Sequence, residues 1–262
     1  MSGSDRHPLF VGQVLAGYRL EGKGGMGGFA RVLRATRLSD GAAVALKLLR
    51  RKHRGQARRE RQLLREGELL RMLDHPRVLR CLESGRAGPW TFLALPWIEG
   101  KPLSTVLGSG PLPRALALDC AFQALEALDY IHGKGVVHQD VKPDNLLLDR
   151  QRRCTLFDFG LATTREDRLA ERAAGGPGRI VGTGSYRAPE QETPGAAVDT
   201  SADIYAFAVT LHRLLTAKLP DEETDVALLG ERVAELIARC LDADPQARPT
   251  ARDLRRELAD QT

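Results

Sequence analysis

The chain has 262 residues, 42% hydrophobic and 28% charged, with a net charge of +5 in which Arg and Glu are mixed along most of the length. This excludes a disordered chain, allows one large domain or two lobes, and gives no specific pointer to nucleic acid. No apolar run nears the roughly 18 residues of a membrane span, "MSGSDRHPLF" lacks the apolar stretch of a signal peptide, and Cys81, Cys120, Cys154 and Cys240 show no CxxC spacing, so the expectation is a cytoplasmic protein without membrane anchor, disulfide framework or zinc site.

In chain order, short β-type runs come first: "YRLEGKG", "ARVLRATR" and "AVALKLL", the first two flanking the glycine cluster of "EGKGGMGGFARV". A helical stretch follows, "ARRERQLLREGELLRMLD", then two more β-type runs, "VLRCLESG" and "TFLALPWI". Near residue 97 the pattern changes to long helical segments: "PRALALDCAFQALEALDYIHGKG", "DTSADIYAFAVTLHRLLTAK" and "VAELIARCLDADP". "RAAGGPGR" at 172–179 reads as a flexible loop. The basic stretch 50–65 reads first as a solvated helix face with its lead-in, and otherwise as a docking site for an acidic partner.

The chemistry concentrates in the middle. "HQDVKPDN" at 138–145 puts Asp140, Lys142 and Asn145 on one loop after a helix, and "DFG" follows at 158–160. Asn145 and Asp158 are oxygen donors suited to Mg²⁺, Lys142 can neutralise a developing negative charge, and Asp140 can accept a hydroxyl proton. Each residue alone has an ordinary structural role as a turn former, cap or core phenylalanine turn. Their joint spacing does not.

These motifs resemble the eukaryotic-type protein kinase family, its bacterial serine/threonine branch most closely, over residues 18–258. The resemblance implies an α+β, two-lobed protein kinase fold: a small β-rich lobe with one main helix over about 18–96 and a larger, mainly helical lobe over about 97–258. Residues 1–17 would be an extension and 259–262 a tail. By resemblance, Lys47 of "VALK" grips the α- and β-phosphates of ATP and Glu66 pairs with it, since Glu66, unlike its rivals Glu60 and Glu68, lies at the family's distance from Pro76. Asp140 is the base, Lys142 assists it, Thr183 of "GTGSYRAPE" lies near it, and Asn145 and Asp158 hold Mg²⁺. Glu190 pairs with Arg248, and Asp203 braces the loop backbone.

Two glycine registers fit the pattern, one starting at Gly22 and one at Gly25. Distance to Lys47 favours Gly25, Gly27 and Gly28 as the phosphate-facing glycines, with Ala30 in the place of the third motif glycine and Gly24 where the family has an apolar residue over adenine. The adenine site implied by resemblance uses the Pro96 carbonyl and the Ile98 N–H, with Val32, Ala45 and Leu147 around the ring and Leu95 as gatekeeper. Gln139 replaces the usual arginine before the base, Cys81 a leucine stacked through Leu70, Phe159 and His138, and Ala208 a common glycine.

Pro220 and Arg248 are closer than in the family, so the helix that docks protein substrates is expected to be short or missing. The loop 165–182 holds no Ser, Thr or Tyr, which with Gln139 implies activity without activation-loop phosphorylation. The implied activity is transfer of the γ-phosphoryl group of Mg-ATP to protein serine or threonine hydroxyls. The alternatives are a nucleotide-binding pseudokinase scaffold and a small-molecule kinase on the same fold.

Overall fold

The computed structural model describes residues 11–26, 29–173, 181–223 and 228–259. Two compact units emerge: residues up to Asp74 with Leu79–Ile98, and His75–Val78 with Glu99 onward.

The first unit is built on one antiparallel sheet. Its strands are β1 (Val14–Leu15), β2 (Tyr18–Met26), β3 (Ala30–Arg37), β4 (Ala43–Leu49), β5 (Glu83–Ala87) and β6 (Trp90–Pro96), in the order β1-β2-β3-β4-β6-β5. Strand periodicity sorts the side chains. Val44, Leu46 and Leu48 of β4 enter a core with Tyr18, Leu20 and Phe92, so Ala45 and Lys47 between them belong to the opposite face. Helix α1 (Ala57–Arg71) packs against β4, β5 and β6, burying Leu63, Glu66 and Leu70, three and four residues apart, along one stripe. The run expected to begin a strand at Val78 does so only at Glu83. Val78 instead forms an isolated bridge to Leu156, and the Leu156 N–H donates to the Arg77 carbonyl at 2.8 Å, which ties this short segment to the second unit.

The second unit opens with β7 (Gly100–Pro102) and α2 (Leu103–Leu107), followed by α3 (Arg114–Gly133). Strands β8 (Leu146–Asp149) and β9 (Cys154–Leu156) join β7 in a three-stranded antiparallel sheet. Then come α4 (Arg165–Ala173), α5 (Pro189–Glu192), α6 (Thr200–Thr216), α7 (Glu231–Cys240) and α8 (Ala251–Ala259). Helix α6 is apolar nearly all round, with Ile204, Phe207, Ala208, Leu211 and Leu214 buried, the composition of a helix at the centre of a core. Asp199 caps its start by accepting from the Ser201 N–H at 2.9 Å, and Ala217, in the left-handed region at φ 60°, closes its end.

Helix α4 corrects the loop expected over 165–182. Thr164 and Asp167 form a reciprocal cap: the Thr164 N–H donates to Asp167 Oδ2 at 2.8 Å and the Asp167 N–H to Thr164 Oγ1 at 3.2 Å. Glu166 and Asp167 in the first turn suit the positive helix end, and Ala170 and Ala173 favour the helix itself. Arg172 and Ala173 thus belong to a helix, while residues 174–180 of the expected flexible loop lie outside the described residues. Among the described residues no α-helix lies between Thr216 and Glu231, and none is long and apolar enough to cross a membrane. All four cysteines are free thiols. A hydrogen bond with Cys120 and burial push the Cys154 thiol up, and burial raises Cys240 to about 12.

A buried ion pair fastens α5 to the segment before α8. Arg248 Nη1 and Nη2 donate to the two Glu190 oxygens at 2.7 and 2.9 Å, and Arg248 also donates to the carbonyls of Ser201 and Asp242. The Arg248 side chain is fully buried, so removing it leaves a carboxylate without its counter-charge. Arg248→Ala is expected to lower unfolding free energy by about 3–5 kcal/mol, read as a lower midpoint in urea. A loss under about 1 kcal/mol, the range of an exposed pair, would contradict this account.

Candidate active site

In the first unit the glycine cluster lies on the β2–β3 hairpin. The register slips twice, leaving Glu21 and Gly24 as extra residues, and brings Gly22 opposite Arg34 and Gly25 opposite Val32. Gly22 and Gly25 are therefore both strand residues. Gly27 and Gly28 lie outside the described residues. A side chain at Gly24 would bring its Cβ to 3.1 Å from the Val32 carbonyl oxygen, a local reason for glycine where an apolar residue was expected. Val32 in turn pairs with Lys47, Ala45 with Leu95, and Val44 with Pro96, while Ile98 ends the unit.

Because β4 turns Lys47 away from the core, its ammonium meets α1. Lys47 Nζ donates to both oxygens of Glu66, at 2.7 and 2.8 Å, in a buried pair. The rivals lie elsewhere. Glu60 accepts from Arg86 at 2.9 Å, and Glu68 is exposed. Within the basic stretch, Arg54 lies over Trp90 and Arg59 over Phe29, while Arg51, Lys52, Arg58, Arg61 and Arg65 are exposed.

In the second unit the loop after α3 is held from below by Asp203 of α6. Its Oδ2 accepts from the His138 N–H and its Oδ1 from the Gln139 N–H, both at 2.8 Å, and the His132 ring lies 2.9 Å from Oδ2. Burial pushes the Asp203 pKa up, but the His132 and His138 rings and the loop amide outweigh it and hold it below the usual carboxylate value. Gln139 takes φ 65°, a left-handed conformation, and Asp140 follows it.

Four donors converge on the Asp140 carboxylate. Thr183 gives its N–H and its hydroxyl to Oδ1 at 3.1 and 2.8 Å, while Lys142 Nζ and Asn145 Nδ2 reach Oδ2 at 2.7 and 2.9 Å. Lys142 also bonds the Thr183 hydroxyl. Gly182 sets Thr183 in place: at φ 94° it lies so close to the loop that a Cβ would sit 2.7 Å from the Gln139 carbonyl oxygen. Asp140, Lys142, Asn145 and Thr183 thus form one cluster.

Asn145 spends its amide N–H₂ on the Asp140 carbonyl and carboxylate, which leaves its amide oxygen for another partner. Asp158 is half-buried with left-handed backbone at φ 63°, and Phe159 packs its ring edge-on to His138 with centroids 4.7 Å apart. An amide oxygen and a carboxylate fit Mg²⁺, which takes one or two protein oxygens and fills its octahedron with phosphate and water oxygens. Leu147 is half-buried in β8, opposite Thr155.

Sequence reading missed three features here. Gln139 Nε2 donates to the Thr163 hydroxyl at 2.7 Å, so the residue in the arginine's place still fastens the segment after Asp158. Arg168 of α4 adds bonds to the carbonyls of Thr163 and Gly135, and Thr163 exchanges two backbone hydrogen bonds with Val137 at 2.9 Å each. The Thr-x-x-Asp cap of α4 is the one sequence signal that could have marked this helix. The third feature, Arg187 folding back beside Gly182 and Gly184, has no local signature.

Residues 18–258 match the family model described as Protein kinase domain. The chain is 37% identical over 199 residues to the serine/threonine-protein kinase pkn2 of Myxococcus xanthus, covering 75% of this chain and 24% of that protein. It is 32% identical over 218 residues to PknJ of Mycobacterium tuberculosis, covering 82% and 36%. The chain therefore spans well under two thirds of these relatives. Among solved structures, a mutant of the Mycobacterium tuberculosis PknI kinase domain superposes with a TM-score of 0.77 at 25% identity, covering 97% of this chain and 99% of that one. With a family model matched along most of its length and the kinase fold in both units, the chain belongs to the protein kinase family, alongside its bacterial serine/threonine members.

Proposed function

We propose that this chain transfers the γ-phosphoryl group of Mg-ATP to serine or threonine hydroxyls of proteins. The observation that carries the reading is the Asp140 carboxylate held by Lys142, Asn145 and Thr183. In the proposed step the acceptor hydroxyl gives its proton to Asp140 as its oxygen bonds the γ-phosphorus, and the bond from that phosphorus to the β-phosphate oxygen breaks to release ADP. Lys142 offsets negative charge on the transferring group. Lys47, fixed by Glu66, grips the α- and β-phosphates. Gly25, Gly27 and Gly28 let backbone approach the phosphates, Val32, Ala45 and Leu147 contact adenine, and Pro96 and Ile98 supply its hydrogen bonds. Mg²⁺ held by Asn145 and Asp158 supplies charge neutralisation on the phosphates. The names of the relatives, serine/threonine-protein kinases, support this reading. The exposed arginines of residues 50–65 are a candidate site for an acidic protein partner, and a cytoplasmic location fits the reduced thiols.

The same reading includes activity without phosphorylation of the segment after Asp158. Moving a kinase from 1% to 99% active takes about 5.5 kcal/mol of bias. Here fixed bonds supply part of it: Gln139 to Thr163, Arg168 to two carbonyls, and the Thr164–Asp167 cap. Protein treated with phosphatase is expected to show its full rate from the first time point with labelled ATP, Mg²⁺ and a generic basic protein. A lag that shortens as enzyme concentration rises would overturn this part.

Asp140→Asn is expected to abolish transfer while nucleotide binding, followed by calorimetry, survives. Retention of more than a few per cent of turnover would remove Asp140 from the role of base. Lys47→Met removes the ammonium paired with the buried Glu66 and is expected to cost about 3–5 kcal/mol of stability together with activity. Adding Glu66→Gln should recover most of the stability and none of the activity. Recovery of both would make the pair purely structural.

A further inference from the structure

The 3-10 turn Gly184–Tyr186 returns the chain on itself, with the Arg187 N–H donating to the Gly184 carbonyl at 3.2 Å. The Arg187 side chain then runs along the two glycines that bracket Thr183. Its Cγ lies 3.3 Å from the point a Gly182 Cβ would occupy, and its Nη2 lies 3.6 Å from that of Gly184. A guanidinium is thereby held next to the residue whose hydroxyl and N–H bond Asp140.

The partner of this cation is weakly placed. Arg187 Nε and Nη2 both lie against one oxygen of Glu192, at 3.2 and 3.0 Å, and the Glu192 side chain is 55% exposed. Such a pair is worth no more than a factor of about five in equilibrium. Among the described residues Nη1 has no hydrogen-bond partner. The neighbouring cations are committed: Lys142 to Asp140 and Thr183, and Arg213 to the Tyr186 hydroxyl. The nearby Glu190 is taken by Arg248, and Asp144 is close enough to raise the Tyr186 pKa, behind burial as the main cause. Arg187 is therefore the cation beside Thr183 that can change partners.

We infer that Arg187 is a specificity-determining residue that selects protein substrates carrying a carboxylate close to the acceptor hydroxyl, the incoming side chain displacing Glu192. The inference rests on the kinase reading above and extends it to substrate class. The path from Asp140 through Thr183 and Gly184 to Nη2 is on the order of 10 Å, which extended chain covers in about three residues. The carboxylate thus lies within three residues of the acceptor. Bidentate geometry favours Asp or Glu over an amide of the same shape.

The test uses peptide sets in which one Glu, Gln or Lys is placed one, two or three residues to either side of a single serine. With wild-type protein, one of the Glu positions should be used about five- to tenfold better than its Gln counterpart, the difference lying in KM. Arg187→Met should bring the two to equal kcat/KM, Arg187→Glu should favour the Lys peptide, and Glu192→Gln, which frees the guanidinium, should widen the preference for Glu. Glu and Gln peptides used within twofold of each other at every position, or a preference that persists in Arg187→Met, overturns the inference. Peptide binding by Asp140→Asn protein is measured in parallel. Selective binding of the Glu peptide with no transfer by the wild type to any substrate, including a generic basic protein, would keep the role of Arg187 and sink the kinase reading. Transfer without selectivity does the reverse.

Discussion

The second unit depends on one buried carboxylate. Asp203 lies in a largely buried, apolar helix, where an unpaired charge would be very costly, and it is tolerated because the His138 and Gln139 amides and the His132 ring converge on it. The dependence runs both ways. The two amides point at one carboxylate only if the backbone turns sharply at Gln139, and that turn aims Asp140 at Lys142, Asn145 and Thr183. Rigid core and reactive loop are thus one hydrogen-bonded unit, with the helix supplying a fixed reference for the chemistry. Such preorganisation is what transfer to a weakly nucleophilic hydroxyl requires.

Much of this was legible in the sequence because its chemistry is local. Strand periodicity marked β3 and β4 at their observed limits, and the spacing within "HQDVKPDN" carried the Asp140 cluster. Glu66 was chosen over Glu60 and Glu68 only through the family's distance from Pro76, and the structure places it on the buried stripe with Leu63 and Leu70. The Glu190–Arg248 pair spans 58 residues and still came through, on motif resemblance alone. What stayed hidden depends on contacts with no periodic signal. The helix over Arg165–Ala173 was masked by its polarity and by the glycines that follow it. The hydrogen bond from Gln139 to Thr163 requires knowing that Thr163 pairs with Val137, a fact of tertiary structure.

Gln139 illustrates how a residue without charge can still fasten the segment after Asp158. An arginine in that position reaches for an anion. The shorter amide instead reaches a hydroxyl on a residue whose backbone is paired with Val137, so the bond forms between neutral groups. Helix α4 extends it, since Arg168 bonds the carbonyls of Thr163 and of Gly135. Folding of α4 and positioning of the loop around Asp140 are thereby energetically linked. Its own cap, Thr164 with Asp167, makes that helix less dependent on the rest of the segment.

Of the five non-glycine residues with left-handed backbone among the described residues, three make a contrast. Gln139 and Asp158 at φ 65° and 63° each carry conformational strain on the order of 1 kcal/mol, and both flank or belong to the candidate site. Ala217 at φ 60° carries the same strain at the end of α6, where it is exposed and takes no part in any chemistry. A helix ending in this conformation is best closed by glycine. Stability is therefore held in reserve at Ala217, outside the candidate site. Thermostabilisation of this fold can draw on the cap of α6 without touching the candidate site, whereas relaxing the backbone at Gln139 or Asp158 would, under the proposed function, exchange activity for melting temperature.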